Sequence, residues 1–375
     1  MEMNQETALQ LFEEGAFFIL LDVPVGTEFG IDYNSWQVGE KFKGVKMIPE
    51  GVHFVSYNSV SKKHKEAAPK LGFFHYFHSK EVFVRQVVRC RKWDKHLESI
   101  SEDVIEGEEL ANFESSLKDL DRFLGPYPYD NYKKWKSLTN HITESLMTRL
   151  EPASGRISSA TELVRDGEEK VCYTVGDLPK SMKEAEGRLP KMVAVTGTEI
   201  RFVALPTRAY PEGASPADIT KYSMDKSFVL TELLSAHYAE NQMDLLGELQ
   251  FAFVCFMVGQ VFDAFEHWKK LVHLLCSCDE ALGRHEDLYS AFISTMHFQL
   301  REIPEDFFVD IVSCNNFLTT TLQVFFYNLA NSDAASRQLK KRGNQFKDHL
   351  TKIFRWDFET EQDDDAPVVV QLGET

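Results

Sequence analysis

The sequence is short of cysteine, of positive charge and of long apolar runs, and each shortage excludes something. Six cysteines in 375 residues (Cys90, Cys172, Cys255, Cys276, Cys278, Cys314) are few for this length, and Cys255 lies inside an all-apolar run, where it acts as a small hydrophobe. A reducing compartment fits best. The 41 basic residues are outnumbered by 58 acidic ones, a formal net charge of -17. A sequence-nonspecific nucleic-acid binder needs a basic footprint, so direct nucleic-acid binding is not expected; a basic protein surface is the expected partner. The longest apolar run, Phe251 to Val258, falls well below the roughly 20 residues that cross a bilayer, so no membrane span is expected. The start, MEMNQETALQLFEEG, lacks a basic segment followed by an apolar one, and no N-x-S/T sequon occurs. The expected location is cytoplasmic and nuclear, although there is no convincing basic import cluster.

Signatures of chemistry are also missing. Gly26-Thr27-Glu28-Phe29-Gly30 lacks the spacing and the lysine of a phosphate-binding loop, no G-x-G-x-x-G follows a strand, and there is no G-x-S-x-G, H-E-x-x-H or paired C-x-x-C. Cys276 and Cys278 with His273 and His285 come nearest to a metal set. Positions i and i+2 point apart on a helix and no fourth ligand is evident, so a helix end is the better reading. His267 beside Glu266 resembles a base with its acid, yet both flank an apolar stripe and read as a solvated face. Glu305, Asp306 and Asp310 share a helix turn without a second carboxylate set, and Lys340-Lys341-Arg342 is expected to offset neighbouring acids. No catalytic residue, cofactor, metal or small-molecule substrate is therefore expected.

What is present centres on Asp244 to Leu275, DLLGELQFAFVCFMVGQVFDAFEHWKKLVHLL. A segment hydrophobic all round, as here from Phe251 to Val258, belongs inside a packed domain. Past Gly259, Val261, Phe265, Trp268, Val272 and Leu275 recur at steps of three and four, which predicts an amphipathic helix. The stretch is expected to organise a helical domain.

The fold class is α+β in two parts. Residues 1–150 are expected to form a mainly-β, sandwich-like domain with flanking helices. FFILLDV, TEFGIDY, GVKMIPEGVHFVSYN, Leu71 to Phe77 and Glu81 to Val88 alternate with turn residues at strand spacing. Apolar periodicity predicts one helix over Glu108 to Leu124, stopped by Gly125-Pro126, and a second beginning at an Asp130 N-cap with a stripe from Tyr132 to Leu146. The intervening GPYPYD reads as a rigid aromatic turn that sets the angle between them. Residues 151–196 lose periodicity and are expected as a mobile linker, in which Ser154, Ser158 and Ser159 near Arg156 are polar spacers or regulatory phosphoacceptors.

Residues 197–356 are expected to be an all-α array, antiparallel or solenoid-like, with Ser215, Pro216 and Asp218 starting one helix as N-cap, N1 and N3. Residues 357–375 carry five acids from Glu359 to Asp365 and then a strand former, Val368, Val369, Val370, Gln371 and Leu372. Such a strand on an acidic leash either docks on its own β domain or adds to a partner's sheet edge.

GTEFGIDYNSW (26–36), FKGVKMIPEGVHF (42–54), DRFLGPYPY (121–129), GTEIRF (197–202), LGELQFAFVCF (246–256), AFEHWKKL (264–271), IPEDFFVDIVS (303–313) and FRWDF (354–358) together resemble the AAR-two splicing factor homologue family. The resemblance runs through both parts of the chain in order. It implies a β-rich N-terminal domain, a helical C-terminal domain and no catalysis. It also implies a role as assembly factor for the U5 small nuclear ribonucleoprotein. The partner would be the RNase H-like and Jab/MPN-like domains of its largest core protein, held so that helicase and RNA are kept away. The tail would complete a sheet between partner domains, which places Val368, Val369, Val370, Gln371 and Leu372 as partner-binding residues. The alternative from another class is a generic α-helical adaptor for sorting peptides, which a helical array fits equally well.

Overall fold

The computed structural model describes residues 5–58, 68–90, 99–161, 163–165, 192–303 and 312–358. The chain divides into two compact units. One comprises Met1–Phe202 with Phe251–Phe265, the other Val203–Gln250 with Glu266–Thr375.

The first unit is built on two five-stranded sheets. One orders β8 (Ser99–Val104), β7 (Val82–Cys90), β1 (Ala16–Leu21), β4 (Gly44–Ile48) and β9 (Leu124–Pro126). Here β1 runs parallel to β7 and antiparallel to β4, and β9 runs parallel to β4. The other orders β10 (Ile157–Ser158), β6 (Leu71–Phe77), β5 (Gly51–Asn58), β2 (Glu28–Ile31) and β3 (Asn34–Gln37), antiparallel throughout. A separate two-stranded sheet pairs β11 (Leu163–Arg165) antiparallel with β12 (Met192–Ala194).

Successive strand residues face opposite ways, so a strand buried on both sides is apolar at every position. The run AFFILL in β1 meets that condition. Phe18 and Leu20 join Phe29, Ile31, Val55, Phe73 and Phe77 in the core between the sheets. Phe17 and Ile19 face the other way, onto Phe12 of α1 (Gln5–Glu14) and onto Leu110, Phe113, Leu117 and Leu120 from α2 (Gly107–Ser115) and α3 (Leu117–Leu120). Gly44 lets β4 approach β1: its φ is 139°, and a Cβ there would stand 1.9 Å from the Phe18 carbonyl oxygen.

The outer face of the second sheet, Val52, Phe54 and Phe74, packs on Trp135, Leu146 and Leu150 from α4 (Tyr132–Thr139) and α5 (Glu144–Leu150), and on Phe251, Val254, Cys255, Val258 and Val261. Phe251 stacks on Phe74 with ring centroids 4.3 Å apart. The all-apolar run thus serves the β unit, a correction to the expectation that it organises only the helical domain. Helix α8 (Asp244–Met257) gives Asp244–Gln250 to the second unit and Phe251–Met257 to the first.

Two other expectations are corrected. The helix expected over Glu108 to Leu124 breaks at Ser116, and after a 3-10 turn its last residue opens β9, an edge strand where Pro126 needs no ladder donor. The helix expected from Asp130 begins at Tyr132 after a 3-10 turn over Tyr129–Asn131, without a side-chain cap. It ends at Thr139; α5 restarts behind Thr143, whose side chain accepts a hydrogen bond from the Leu146 amide at 3.2 Å. Residues 151–161, where the expected linker begins, pack into this unit: Ile157 is buried, and Ser159 Oγ accepts from the Lys70 amide at 2.8 Å.

The second unit holds the remaining helices: α6 (Pro216–Met224), α7 (Ser227–His237), the first half of α8, most of α9 (Phe262–Cys276), α10 (Ala281–Arg284), α11 (Glu286–Glu302), α12 (Val312–Asn331) and α13 (Arg337–Phe354). Ser215 starts α6 through the expected capping box with Asp218 and with Pro216 at the first turn. Trp268, Tyr289, Phe292 and Phe325 are fully buried side chains, with Phe292 edge-on to Phe325 at 5.7 Å. His285 separates α10 from α11. The start of α10 is fixed by Asp225, whose carboxylate accepts from the Ser227, Asp279 and Glu280 amides. Burial works against the Asp225 carboxylate, yet the Ser227 hydroxyl, which donates to it at 2.6 Å, and these amides hold its pKa below the ordinary value.

Candidate interaction surface

The expected partner-binding residues Val368, Val369, Val370, Gln371 and Leu372 lie outside the described residues. The structure shows the base from which that tail departs. Helix α13 starts at Ser336, whose Oγ accepts from the Leu339 amide and contacts Glu286. It ends at Arg355 in the left-handed conformation, φ 57° and ψ 27°. A left-handed arginine costs about 1 kcal/mol or more, and the residues after it explain why the turn is tolerated. RWDF alternates sides as an extended segment does: Arg355 and Asp357 are exposed, while Trp356 and Phe358 are buried. Trp356 stacks on Phe354 at 4.9 Å, and Phe358 meets Phe326 of α12 at 5.0 Å. Phe326 in turn meets Phe346 of α13 at 5.9 Å. The chain therefore turns back at Arg355 and is pinned by two aromatic side chains at the point where the acidic segment begins.

The described contacts of the basic residues of α13 are with hydroxyl and carbonyl oxygens. Arg342 donates to Ser290 Oγ and Ser294 Oγ, Lys340 donates to the Ala330 carbonyl at 3.1 Å, and Lys341 is exposed. Among the described residues none of the three pairs with a carboxylate; the acids from Glu359 onward lie outside the described residues.

Two buried polar clusters were not foreseen. In the first unit Asp32 accepts from Tyr127 Oη at 2.5 Å and from the Phe54 amide at 3.0 Å, and it lies 2.7 Å from His53 Nδ1. His53 Nε2 lies 2.9 Å from the Pro49 carbonyl oxygen, which fixes the ring in place. Burial, reinforced by the adjoining Asp32 carboxylate, pushes the Tyr127 hydroxyl pKa well up. The words GIDYN, EGVHF and GPYPY thus converge on one carboxylate. The aromatic turn closes the sandwich through Tyr127, and Tyr129 Oη donates to the Met47 carbonyl at 2.7 Å.

In the second unit Glu248 is fully buried and accepts from the Val203 amide at 2.9 Å and Tyr238 Oη at 2.7 Å, with His267 Nε2 at 2.8 Å. His267 is 8% exposed, which corrects its reading as a solvated face. Its partner is Glu248, nineteen positions back, and not the adjacent Glu266, whose own partner is Lys269 at 2.6 Å. No local spacing signals such a pairing. Every member satisfies another, so the cluster is a staple holding the segment at Val203 against two helices.

The other sequence candidates separate. Cys276 and Cys278 are buried thiols whose pKa values burial pushes up, Cys278 to about 12. His273 is exposed, and His285 Nδ1 lies 2.8 Å from Gln242 Oε1. Among the described residues no three His, Cys, Asp or Glu side chains are grouped to hold a metal. Glu305, Asp306 and Asp310 lie outside the described residues. Ser154 Oγ donates to the Arg156 carbonyl at 3.2 Å, and Ser158 Oγ accepts from the Ala160 amide at 3.3 Å, as polar spacers do. A cavity of about 210 Å³ in the first unit is lined by Ile157, Ile200, Phe202 and Val261 with Glu199 and Asp263 at its polar side. No helix among the described residues is long and apolar enough to cross a membrane.

Comparison with known proteins accounts for nearly the whole chain. Residues 14–152 match the AAR2 N-terminal domain and residues 202–359 the AAR2 C-terminal repeat region. The chain is 48% identical over 383 residues to the protein AAR2 homolog of Mus musculus, covering 100% of this chain and 98% of the relative. It is 39% identical over 366 residues to the homolog of Caenorhabditis elegans, covering 93% and 96% of the two chains. It is 21% identical over 300 residues to the A1 cistron-splicing factor AAR2 of Saccharomyces cerevisiae, covering 76% of each. Two domain matches in order and full-length identity near one half make this chain a member of the AAR2 family.

Proposed function

We propose that this protein is a non-enzymatic assembly factor acting in pre-mRNA splicing. It binds the RNase H-like and Jab/MPN-like domains of the largest core protein of the U5 small nuclear ribonucleoprotein and keeps helicase and RNA from that protein until assembly is complete. Its proposed location is cytoplasmic and nuclear. The observation that carries the reading is the reach of the family similarity, 98% of the mouse relative with both domains in order, together with a yeast relative named as a splicing factor. The charge of -17 supports it, since an acidic protein suits a basic, RNA-facing surface. So does the fixed position of Phe358 against Phe326, the last described residue before the strand-forming sequence Val368 to Leu372, which on this reading adds a strand to a partner's sheet.

Affinity capture of the full chain from nuclear and cytoplasmic extract at low salt tests the proposal. The U5 core protein is expected in the eluate, with the helicase subunit depleted relative to mature particles. Failure to recover the core protein overturns it.

A further inference from the structure

The charge of this chain is divided unevenly at its end. From Arg337 to Arg355 there are seven Lys and Arg against one acid, Asp348; from Asp357 to Thr375 there are seven acids and no Lys or Arg. Helix α12, which lies beside α13, carries no charged residue at all. A net positive helix within a chain of charge -17 stands against the overall field, and Arg337, Lys341 and Lys352 are exposed. Lys340 reaches the carbonyl of Ala330, near the end of α12, which places its flank of α13 along the seam between the two helices.

The last described residue stands on that seam. Arg355 reverses the chain, and Phe358 sits on Phe326, one helical turn before Ala330, with Phe326 against Phe346. The acidic segment therefore begins level with the middle of α13. From Phe346 back to Arg337 is about 14 Å along the helix at 1.5 Å per residue. The seven residues Glu359 to Asp365 span up to about 23 Å when extended. They are long enough to pass Lys340, Lys341 and Arg337 without strain.

We infer that the acidic segment Glu359–Asp365 docks in cis along the basic flank of α13, with its carboxylates facing Arg337, Lys340 and Lys341. The tether makes the encounter intramolecular, so several weak exposed ion pairs act together where one alone contributes little. A basic surface on another protein then competes with α13 for the same acids. The inference rests on charge and chain direction and holds whichever partner the tail serves.

The test is zero-length carbodiimide cross-linking of the full chain, as an equal mixture of nitrogen-14 and nitrogen-15 protein, read by mass spectrometry of the whole digested reaction, monomer and any covalent dimer together. The reagent activates a tail carboxyl and condenses it with a lysine amine, with loss of water, to an amide. Expected are links from residues 359–365 to Lys340 and Lys341 within chains of one isotope, falling at least about fivefold between 50 and 500 mM NaCl as screening shortens. Replacing Lys340 and Lys341 by Glu abolishes these links, and replacing the five tail acids by Lys in that variant restores them with donor and acceptor exchanged. Links between isotopes would assign the tail to a second copy. Links to other lysines, or a yield indifferent to salt, would also overturn the inference.

Discussion

The ring of Phe358 stands at 78° to that of Phe326 with centroids 5.0 Å apart, and this contact fixes where the C-terminal tail leaves the helical unit. Removing Phe326, which also meets Phe325 and Phe346, is expected to cost about 3 to 5 kcal/mol. Phe358→Ala is expected to cost less, about 1 to 2 kcal/mol, because a terminal segment can lift away without leaving a cavity. A double-mutant cycle in urea should give a coupling of about 0.5 to 1.5 kcal/mol. Additive losses would show that the ring contact is incidental.

Glu248→Ala leaves the Val203 amide, Tyr238 hydroxyl and His267 ring buried without their shared acceptor. A loss of about 3 kcal/mol or more is expected in chemical denaturation. Glu266→Ala, on the adjacent residue, is expected to change stability by less than about 0.5 kcal/mol, since its pair with Lys269 is a partly solvated one three residues apart on one helix. Equal effects would contradict the assignment of Glu248 as the residue His267 depends on.

Glu151 carries a pH dependence of its own. Burial raises its pKa from 4.5 to about 7, against the opposing pull of Arg85 and Arg201. Between those two pH values the folded chain keeps a proton that the unfolded chain has released. The contribution of this residue to stability is therefore greatest below pH 4.5 and is lost as the pH rises to about 7. Glu151→Gln should remove that slope and, at pH 8, stabilise the protein by about 1 kcal/mol, less than full linkage because the side chain is partly open to solvent. Thermal melts from pH 5 to 8 of both proteins check this, and parallel curves would refute it.

At Gly44 a methyl group meets the Phe18 carbonyl, and φ is already 139°. Gly44→Ala is expected to destabilise by about 3 kcal/mol or more. Gly39→Ala, where a Cβ meets nothing within 4 Å, is expected to be close to neutral. Comparing the two melting temperatures tests whether the β1–β4 approach is the cause.

Local patterns made much of this fold legible. The double-sided apolar run of β1 and the Ser215-Pro216-Asp218 helix start both follow from chemistry within a few residues. What stayed hidden depends on partners far along the chain. Phe251 to Val258 reads as a helical core whatever it packs against; only the structure shows that its neighbours are Phe54, Phe74 and Trp135 of the β unit. Tyr127 and Asp32 are 95 positions apart, and nothing in either segment announces the other. His267 reads as solvated in sequence for the same reason, since its acid sits one helix back. Periodicity also overran real breaks: Ser116 and Asn140 interrupt stripes that continue in register beyond them. The tail base was legible only as the word FRWDF, because a left-handed arginine has no sequence signal of its own.

Engagement of the U5 core protein, partly through the terminal strand, is what the proposed function requires of this chain. Titration calorimetry between the full chain and a fragment holding the RNase H-like and Jab/MPN-like domains, repeated with a chain ending at Asp365, tests it most directly. Measurable binding is expected that weakens at least about tenfold on truncation, about 1.4 kcal/mol, while the melting temperature stays within about 2 °C. No binding by the full chain, or undiminished binding by the shortened one, would contradict it.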